Sequence, residues 1–320
     1  MTMKILTLPF FEELEKANNI LIAGAGGGYD IFTGLPLYFA LQAAGKSVYL
    51  ANLSFSFLPI REQQSLSPSM LKVTADTRNV SNYFPEYYLS QWFRELQQEE
   101  VPIYCFQKTG VKPLINNYQI LIEQLSIDTI ILVDGGTDSL MCGDEVDLGT
   151  PSEDISSITA VNELDVERKI LTCLGFGVDY FHGICHAQFL EAVAELTQSG
   201  GYLGLFSLMQ EMPEVQKYRQ ASEFVFNKMP DHISIVSISI LSALAGHYGN
   251  YHATPRTRGS QLWINPLMPA YWCFRVSEVA QRILYLEAMK ETETALDIAE
   301  VIYDFRQNCP LIRKWETIPV

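Results

Sequence analysis

The sequence predicts an α/β protein with a Rossmann-like, doubly wound, mainly parallel sheet flanked by helices, and with a helical C-terminal region. Two observations support this prediction. Apolar runs of strand length alternate with helical segments through most of the first 200 residues, and such alternation is typical of parallel sheets. The chain also starts with a strand–helix–strand unit over residues 19–53, for which a right-handed crossover is expected.

Each element follows from a local pattern. The strands are short apolar runs, as expected for buried strands, and we predict them at Asn19–Gly24, Ser47–Leu53, Val101–Phe106, Thr129–Val133, Lys169–Leu174 and Tyr202–Phe206. The first helix has Pro36 in its first turn and stops at Gly45, both of which are typical helix signals. We predict helices at Leu35–Ala44, Glu86–Gln98, Lys112–Leu125, Ser152–Asn162, Cys185–Thr197, Val215–Phe226 and Ile233–Ala245.

The last part of the chain has a different pattern. Residues Tyr248–Pro269 are rich in Gly, Pro and His and are predicted to be irregular, whereas Val276–Gln307 are predicted to be mostly helical. No repeat or clear linker is visible. We therefore expect a single α/β domain over residues 1–320, with its core over about 17–245 and an irregular loop and helical extension over 246–320.

Composition excludes several classes of protein. Hydrophobic residues make up 48% of the 320 and charged residues 18%, which is enough for a core and too little charge for disorder. The net charge of −15 and the lack of a basic stripe argue against nucleic-acid and membrane partners. The strongest apolar stretch, Ile233–Ala245, is shorter than the ~20 residues that span a bilayer.

The cysteines and the N-terminal residues indicate the cellular compartment in which the protein is expected. Six cysteines occur without a CxxC pair, and no signal peptide is visible, so free thiols are expected. We therefore expect a soluble, cytoplasmic protein whose partner is a small molecule. A homo-oligomer is left open.

A glycine loop, Gly24–Asp30, follows the first strand. Glycines let a ligand approach the backbone closely, and free amides at the next helix start can hold a phosphate or carboxylate. The alternative is a tight turn without a ligand. We predict ligand contact, with Asp30 either capping the helix or binding a hydroxyl, an amine or a metal. The predicted ligand-binding residues here are Gly26, Gly27, Gly28, Tyr29 and Asp30.

The nucleotide-binding fingerprints are not met. A GxGxxG motif starting at Gly24 would need its last glycine where Tyr29 stands, and the second strand ends near Asn52 without an acidic residue for a ribose. A P-loop also fails, because a glycine would be needed where Ala40 stands. The sequence therefore has no nicotinamide or flavin fingerprint, and its cofactor is unknown.

An acidic loop follows the apolar strand Thr129–Val133, with the sequence DGGTDS over residues 134–139. Carboxylates at the end of a strand in an α/β sheet often belong to a site. We predict that Asp134 and Asp138 act as general bases or as ligands of Mg²⁺ or Mn²⁺, with Asp144 as a third candidate metal ligand. A solvated acidic loop is the alternative. The predicted ligand contacts in this loop are Gly135, Gly136 and Thr137.

The strand–GGGxD motif, the DGGTDS motif and the GTPSED sequence that follows together resemble a family called domain of unknown function 1152. The resemblance extends from about Asn19 to Gly204 and is weaker beyond. Tyr29 departs from the small residue expected at its position, and would narrow the site or stack on a ligand. The resemblance implies a site formed by these loops, but no particular reaction.

Two further segments carry candidate residues. Asp179 and His182 follow another predicted strand and are predicted to join the same site, where histidine can titrate near neutrality. Arg256 and Arg258 lie in the irregular segment; they either close over an anionic substrate or form surface salt bridges. A GxSxG elbow is absent, which argues against a serine hydrolase.

These patterns predict an enzyme acting on a small polar metabolite: a nucleotide, a nucleoside or a sugar phosphate. Hydrolysis or group transfer fits the carboxylates Asp134, Asp138 and Asp179, with His182 as a fourth catalytic candidate. Two alternatives remain open. One is a non-catalytic ligand-binding or sensor protein that uses the same crevice, and the other is an oxidoreductase with an atypical dinucleotide loop.

Overall fold

The computed structural model describes residues 7–60, 65–79 and 81–318, the side chain of residue 181 excepted. Its strands are β1 Asn19–Gly24, β2 Ser47–Leu53, β3 Ser65–Ser67, β4 Met70–Val73, β5 Ile103–Phe106, β6 Thr129–Asp134, β7 Arg168–Cys173, β8 Tyr202–Ser207, β9 Gly249–Asn250, β10 Trp263–Ile264 and β11 Ala270–Arg275. Its helices are α1 Pro9–Lys16, α2 Asp30–Thr33, α3 Leu35–Ala43, α4 Pro85–Trp92, α5 Val111–Leu125, α6 Pro151–Asn162, α7 His186–Ser199, α8 Pro213–Lys228, α9 Ile235–Leu244, α10 Val276–Arg282, α11 Leu286–Lys290 and α12 Ala295–Asn308.

The predicted α/β class and mostly parallel sheet are confirmed. Nine strands form one sheet in the order β3-β4-β5-β2-β1-β6-β7-β11-β8. The five central strands from β5 to β7 are parallel. The chain runs outward from β1 through β2 to β5, then returns to place β6 on the other side of β1. The strand order therefore reverses between β1 and β6, and ligands of such sheets bind at that point.

Three strands of this sheet were not predicted from the sequence. The strands β3 and β4 are antiparallel and lie at one edge; with three and four residues, they are too short to show a period. The strand β11 lies antiparallel between β7 and β8. Its sequence AYWCFR has the aromatic content typical of strands, but it follows a long irregular segment. The helical C-terminal region is confirmed as α10, α11 and α12.

The core consists of two apolar clusters, one on each face of the sheet. In β1, Leu21 and Ala23 belong to the cluster with α5 and α6, whereas Ile20 and Ile22 belong to the cluster with α3 and α8. This is the two-residue alternation of a strand, and burial of each large side chain contributes about 1.5–3 kcal/mol. In β6, Leu132 faces the α6 side, so alternation directs Asp134 toward that side as well.

Among the residues that the structure describes, we find no helix with both the length and the apolar character that crossing a bilayer requires.

Candidate functional site

A crevice of about 420 Å³ opens where the sheet order reverses. The parallel register pairs Gly24 of β1 with Val133 of β6, so the loops after these two strands meet at the same edge. The crevice has an acidic floor and a partly aromatic wall. Its lining residues are Gly26, Gly27, Tyr29, Asp30, Phe55, Tyr83, Asp134, Gly135, Asp138, Thr150, Asp154, Asp179, His182, His232, Ser234, Ile235, Val236 and Arg256.

Asp30 connects the glycine loop to the acidic loop. It begins α2, and the amide of Gly26 donates a hydrogen bond of 2.6 Å to its Oδ2. The pKa of Asp30 lies well above its ordinary value, because burial and the nearby Asp134 disfavour the charge. The backbone amides of Gly26 and Gly135 oppose this shift. Asp30 thus interacts with backbone amides of both loops and also lines the crevice.

Asp134, the last residue of β6, lines the crevice. The Ser139 hydroxyl donates a hydrogen bond of 2.5 Å to its Oδ2. The same hydroxyl lies 3.3 Å from Sγ of Cys173, which places the end of β7 beside this contact. Burial, followed by repulsion from Asp138, raises the pKa of Asp134 to about 7.

Asp138 joins the acidic loop to the start of α6. Its Oδ2 accepts a hydrogen bond of 2.8 Å from the amide of Thr150 and one of 2.9 Å from the Thr150 hydroxyl. Thr150 is the residue before α6. Asp138 therefore fixes the entry of this helix with one oxygen, while its Oδ1 has no hydrogen-bond partner among the described residues.

Asp154, in the first turns of α6, was not predicted as a site residue. Its side chain is 1% exposed, and its Oδ1 has no hydrogen-bond partner among the described residues. Burial raises its pKa well above the ordinary value, and repulsion from Asp138 and Asp134 adds to the shift. The sequence carries little signal for it: every residue of α6 from Asp154 to Val161 is buried, so no single face of the helix marks this position.

Asp179 is the acidic residue that the loop after β7 contributes to the crevice. It lies in a short 3-10 turn, Val178–His182, and its Oδ2 accepts a hydrogen bond of 2.5 Å from the amide of Thr137. Burial, followed by repulsion from Asp138 and Asp134, raises the pKa of Asp179 well above its usual range. Thr137 itself does not line the crevice; its amide and hydroxyl hold Asp179.

The glycine loop packs closely against β2. The amide of Gly28 donates to the carbonyl of Leu53 at 3.0 Å, and Asn52 Nδ2 donates to the carbonyl of Gly28 at 2.8 Å. A Cβ at Gly27 would lie 2.6 Å from the Leu53 carbonyl. Gly26 and Gly27 line the crevice, whereas Gly28 does not. Close packing on β2 thus accounts for much of the glycine content.

The other predicted residues divide into two groups. Tyr29, Gly135, His182 and Arg256 line the crevice. Arg256 donates from Nη1 to the carbonyl of Ile233 at 2.7 Å. Gly136 and Arg258 are not among the lining residues.

Asp144, the third candidate metal ligand from the sequence, does not line the crevice. Its Oδ1 lies 2.8 Å from Nε of Arg313. The neighbouring Glu145 is fully buried and accepts from the amides of Cys142 and Gly143, both at 2.8 Å. Cys142, Asp144 and Glu145 are close enough to share a metal ion, but Arg313 already forms ion pairs with both acids.

A model of one protein family matches residues 21–305 of the chain, and its description is "Protein of unknown function (DUF1152)". The match covers both site loops and continues through β11 into α12. The chain therefore belongs to this family. The comparisons with curated proteins and with solved structures gave no significant match.

Proposed function

We propose that this member of the DUF1152 family is an enzyme that performs hydrolysis or group transfer on a small polar metabolite bound in the crevice. The observation that carries the proposal is the convergence of five aspartates from four separate chain segments on the crevice lining: Asp30, Asp134, Asp138, Asp154 and Asp179. Four of them are at most 6% exposed. Burying carboxylates costs several kcal/mol unless they are compensated, and perturbed buried acids cluster at functional sites.

The proposed catalytic roles follow from the carboxylate oxygens that are not used to hold neighbouring residues. Asp138 uses Oδ2 to hold Thr150, which leaves its Oδ1 to accept a proton from a water molecule or a substrate hydroxyl. Such general base catalysis contributes about 10²–10⁴-fold to a rate. Asp179 uses Oδ2 to hold Thr137 and would orient the substrate through its other oxygen. His182 lines the same crevice and is the candidate for protonating a leaving group.

The charge of the crevice restricts the substrate. Among the described residues, Arg256 is the one lysine or arginine that lines it, against five aspartates. A phosphate would be repelled by the floor unless Arg256 or a cation intervened. We therefore favour substrates that present hydroxyl or amino groups to the aspartates, such as nucleosides and the sugar portion of nucleotides or sugar phosphates. The partly aromatic wall at Tyr29, Phe55 and Tyr83 suits a flat ring.

An oxidoreductase with a dinucleotide cofactor is less well supported. The amide of Gly26 donates to the carboxylate of Asp30, and the amide of Gly28 donates to the carbonyl of Leu53. These amides are therefore not available to a pyrophosphate, which lies against the glycine loop in dinucleotide-binding folds. We place the enzyme in the cytoplasm, where its six free cysteines would remain thiols.

The test is turnover of a panel of nucleosides, nucleotides, sugar phosphates and related esters, with and without divalent cations. We expect at least one substrate to be turned over by the wild type, and Asp138→Asn to lower kcat by about 100-fold or more. The matched control is Asp147→Asn, which makes the same change at an exposed aspartate of the same loop that does not line the crevice. Equal activity of Asp138→Asn and the control on a turned-over substrate would contradict the catalytic assignment.

A further inference from the structure

We propose that Asp30, Asp134 and Asp154 form a binding site for one hard divalent cation, Mg²⁺ or Mn²⁺, at the floor of the crevice. Each residue contributes one carboxylate oxygen, and these oxygens all lie within 4.8 Å of one another. The inference rests on the site of the proposed function and adds the cofactor class that this site takes. It replaces the set Asp134, Asp138 and Asp144 suggested by the sequence.

The unpartnered oxygen of Asp154 is the observation that points to a ligand. Oδ1 of Asp154 has no hydrogen-bond partner among the described residues, although the side chain is 1% exposed. Buried polar atoms without partners are rare, and an unoccupied ion position is one explanation. This oxygen faces the glycine loop, because a Cβ at Gly26 would lie 2.7 Å from it and 2.8 Å from Oδ2 of Asp30. The absence of a side chain at Gly26 keeps the space between the two carboxylates open.

Charge gives an independent reason for a cation. Asp30, Asp134 and Asp154 each repel at least one of the others, and Asp138 adds to the repulsion on all three. No lysine lines the crevice among the described residues, and Arg256 lines it from the segment after β9. Paired or metal-bound carboxylates are the usual form of buried charge. A divalent cation would neutralise two of the three charges.

The ligand type selects the cation. Carboxylate oxygens favour Mg²⁺, Mn²⁺ and Ca²⁺ over softer ions. Mg²⁺ keeps several waters and binds through few carboxylates at about 2.0–2.1 Å, so the oxygens of an octahedral site are roughly 3–4 Å apart. A small inward movement of the three side chains reaches this spacing. A cation that keeps bound water molecules also suits a site beside a substrate crevice, because water or a substrate oxygen can complete its coordination.

The three proposed ligands differ in how firmly neighbouring groups hold them. Asp30 is held by the Gly26 amide and Asp134 by the Ser139 hydroxyl, so both are oriented without a cation. Asp154 lies on α6, whose entry is fixed by Asp138 through Thr150. Two ligands are therefore preorganised from the sheet side, and the third approaches from the helix side. Asp154 is the ligand whose removal should affect cation binding with the least effect on the loops.

The experiment is isothermal titration calorimetry of the full chain, after treatment with EDTA and dialysis, with MgCl₂, MnCl₂ and CaCl₂ in turn. We expect one Mg²⁺ or Mn²⁺ per chain in the wild type. We expect Asp154→Asn to weaken the affinity by at least tenfold, since even altered supports of metal ligands cost 10–100-fold. The matched control is Glu86→Gln, which makes the same change at a fully buried acid that does not line the crevice; it should bind like the wild type.

A second measurement does not depend on a variant that folds. Saturating Mn²⁺, at about 100 times its Kd, should raise the melting temperature of the wild type by about 5 °C, and the EPR spectrum should report one bound ion per chain. No binding of any of the three cations by the wild type at ~10 mM, about tenfold above the weakest dissociation constants of protein calcium sites, would overturn the proposal. Wild-type affinity in a folded Asp154→Asn variant would also overturn it.

The outcomes separate this site from the proposed function. Stoichiometric binding without turnover of any substrate supports the cation site and contradicts the enzyme. Turnover that persists in EDTA, in a protein that binds no cation, supports the enzyme and contradicts the cation site.

Discussion

At the scale of the residue, Asp138 and Asp154 differ in what holds their carboxylates: Oδ2 of Asp138 accepts from Thr150, whereas the buried Oδ1 of Asp154 has no hydrogen-bond partner among the described residues. Asp134 and Asp138 were identifiable because they follow an apolar strand in a glycine-containing loop. Asp154 was not predicted because it reads as part of a helix start, although its buried Oδ1 has no hydrogen-bond partner among the described residues. Asp144 was a third candidate metal ligand from the sequence, but it does not line the crevice and pairs with Arg313. Chain proximity does not determine which carboxylates share a space.

The first prediction separates the charge of Asp138 from its hydrogen bonds. Asp138→Asn retains an oxygen that can accept from Thr150, so we expect the free energy of unfolding to change by less than about 1 kcal/mol. Asp138→Ala loses both bonds of a buried side chain and should lose about 2–4 kcal/mol. Urea denaturation of the two variants measures the difference. Equal losses would mean that the carboxylate charge, and not the pair of bonds, holds the start of α6.

The second prediction concerns Gly26, where an added Cβ would meet Oδ1 of Asp154 at 2.7 Å and Oδ2 of Asp30 at 2.8 Å. Gly26→Ala should lower the free energy of unfolding by about 1–3 kcal/mol, the cost of overpacking. Asp154→Ser shortens the opposing side chain and should relieve part of that cost. A double-mutant cycle followed by thermal unfolding checks this, and the two changes should couple by about 0.5 kcal/mol or more. Additive effects would contradict the close approach of Gly26 and Asp154.

The third prediction uses Glu86, a fully buried acid of α4 whose Oε1 accepts from Nδ2 of Asn52 at 2.8 Å. Burial raises the pKa of Glu86 from 4.5 to about 7. The folded state therefore binds more protons than the unfolded state between these values, and this group's contribution to stability falls as the pH rises from 4.5 to about 7. Above pH 7 the contribution is constant.

Glu86→Gln removes that dependence while keeping the size of the side chain. The stability of the variant relative to the wild type should rise by roughly 2–3 kcal/mol between pH 5 and pH 8. Guanidinium denaturation of both proteins at a series of pH values measures it. A difference that stays constant with pH would show that Glu86 titrates normally in the folded protein.

At the scale of the element, the loops after β1, β6 and β7 are tied to one another and to α6 before any ligand binds. Asp179 holds Thr137, Asp138 holds Thr150, and the Ser157 hydroxyl of α6 donates to the carbonyl of Ala25. The sequence predicted β1 and β2 at their observed bounds and β6 to within one residue, since buried strands appear as apolar runs. It did not predict β11, because a strand that inserts between two distant ones is fixed by tertiary pairing and not by its neighbours in the chain.

The fourth prediction concerns the segment 309–318 that follows α12, here called the C-terminal strap. Arg313 in the strap pairs with Asp144 at 2.8 Å and with the buried Glu145 at 3.1 Å. Removing one partner of a buried ion pair is strongly destabilising, because the other charge remains uncompensated. Arg313→Ala should therefore lower the free energy of unfolding by about 2–4 kcal/mol.

The matched control is Lys112→Ala, which removes the exposed pair with Glu291 and should change stability by less than about 1 kcal/mol. Denaturant unfolding of both variants provides the comparison. A loss for Arg313→Ala no larger than for the control would show that the strap does not stabilise the residues around Glu145.

At the scale of the whole molecule, the topology places the site. The order β5-β2-β1-β6-β7 reverses between β1 and β6, and the five aspartates line a crevice at that reversal. Alternation along β6 directs Asp134 to the face covered by α6, which carries Asp154. The edge of the sheet at which the site lies could be predicted from the strand pattern alone. The pairing of Asp154 with Asp30 and Asp134 could not, because it depends on how α6 is rotated against the sheet.

The most direct measurement of the central claim is crystallographic: anomalous diffraction at the manganese edge from crystals of the wild-type protein grown with MnCl₂. The account predicts an anomalous peak between the carboxylates of Asp30, Asp134 and Asp154, with Mn–O distances near the ~2.1 Å typical of small hard cations. A protein that crystallises with manganese elsewhere, or with no peak at these three residues, would contradict it.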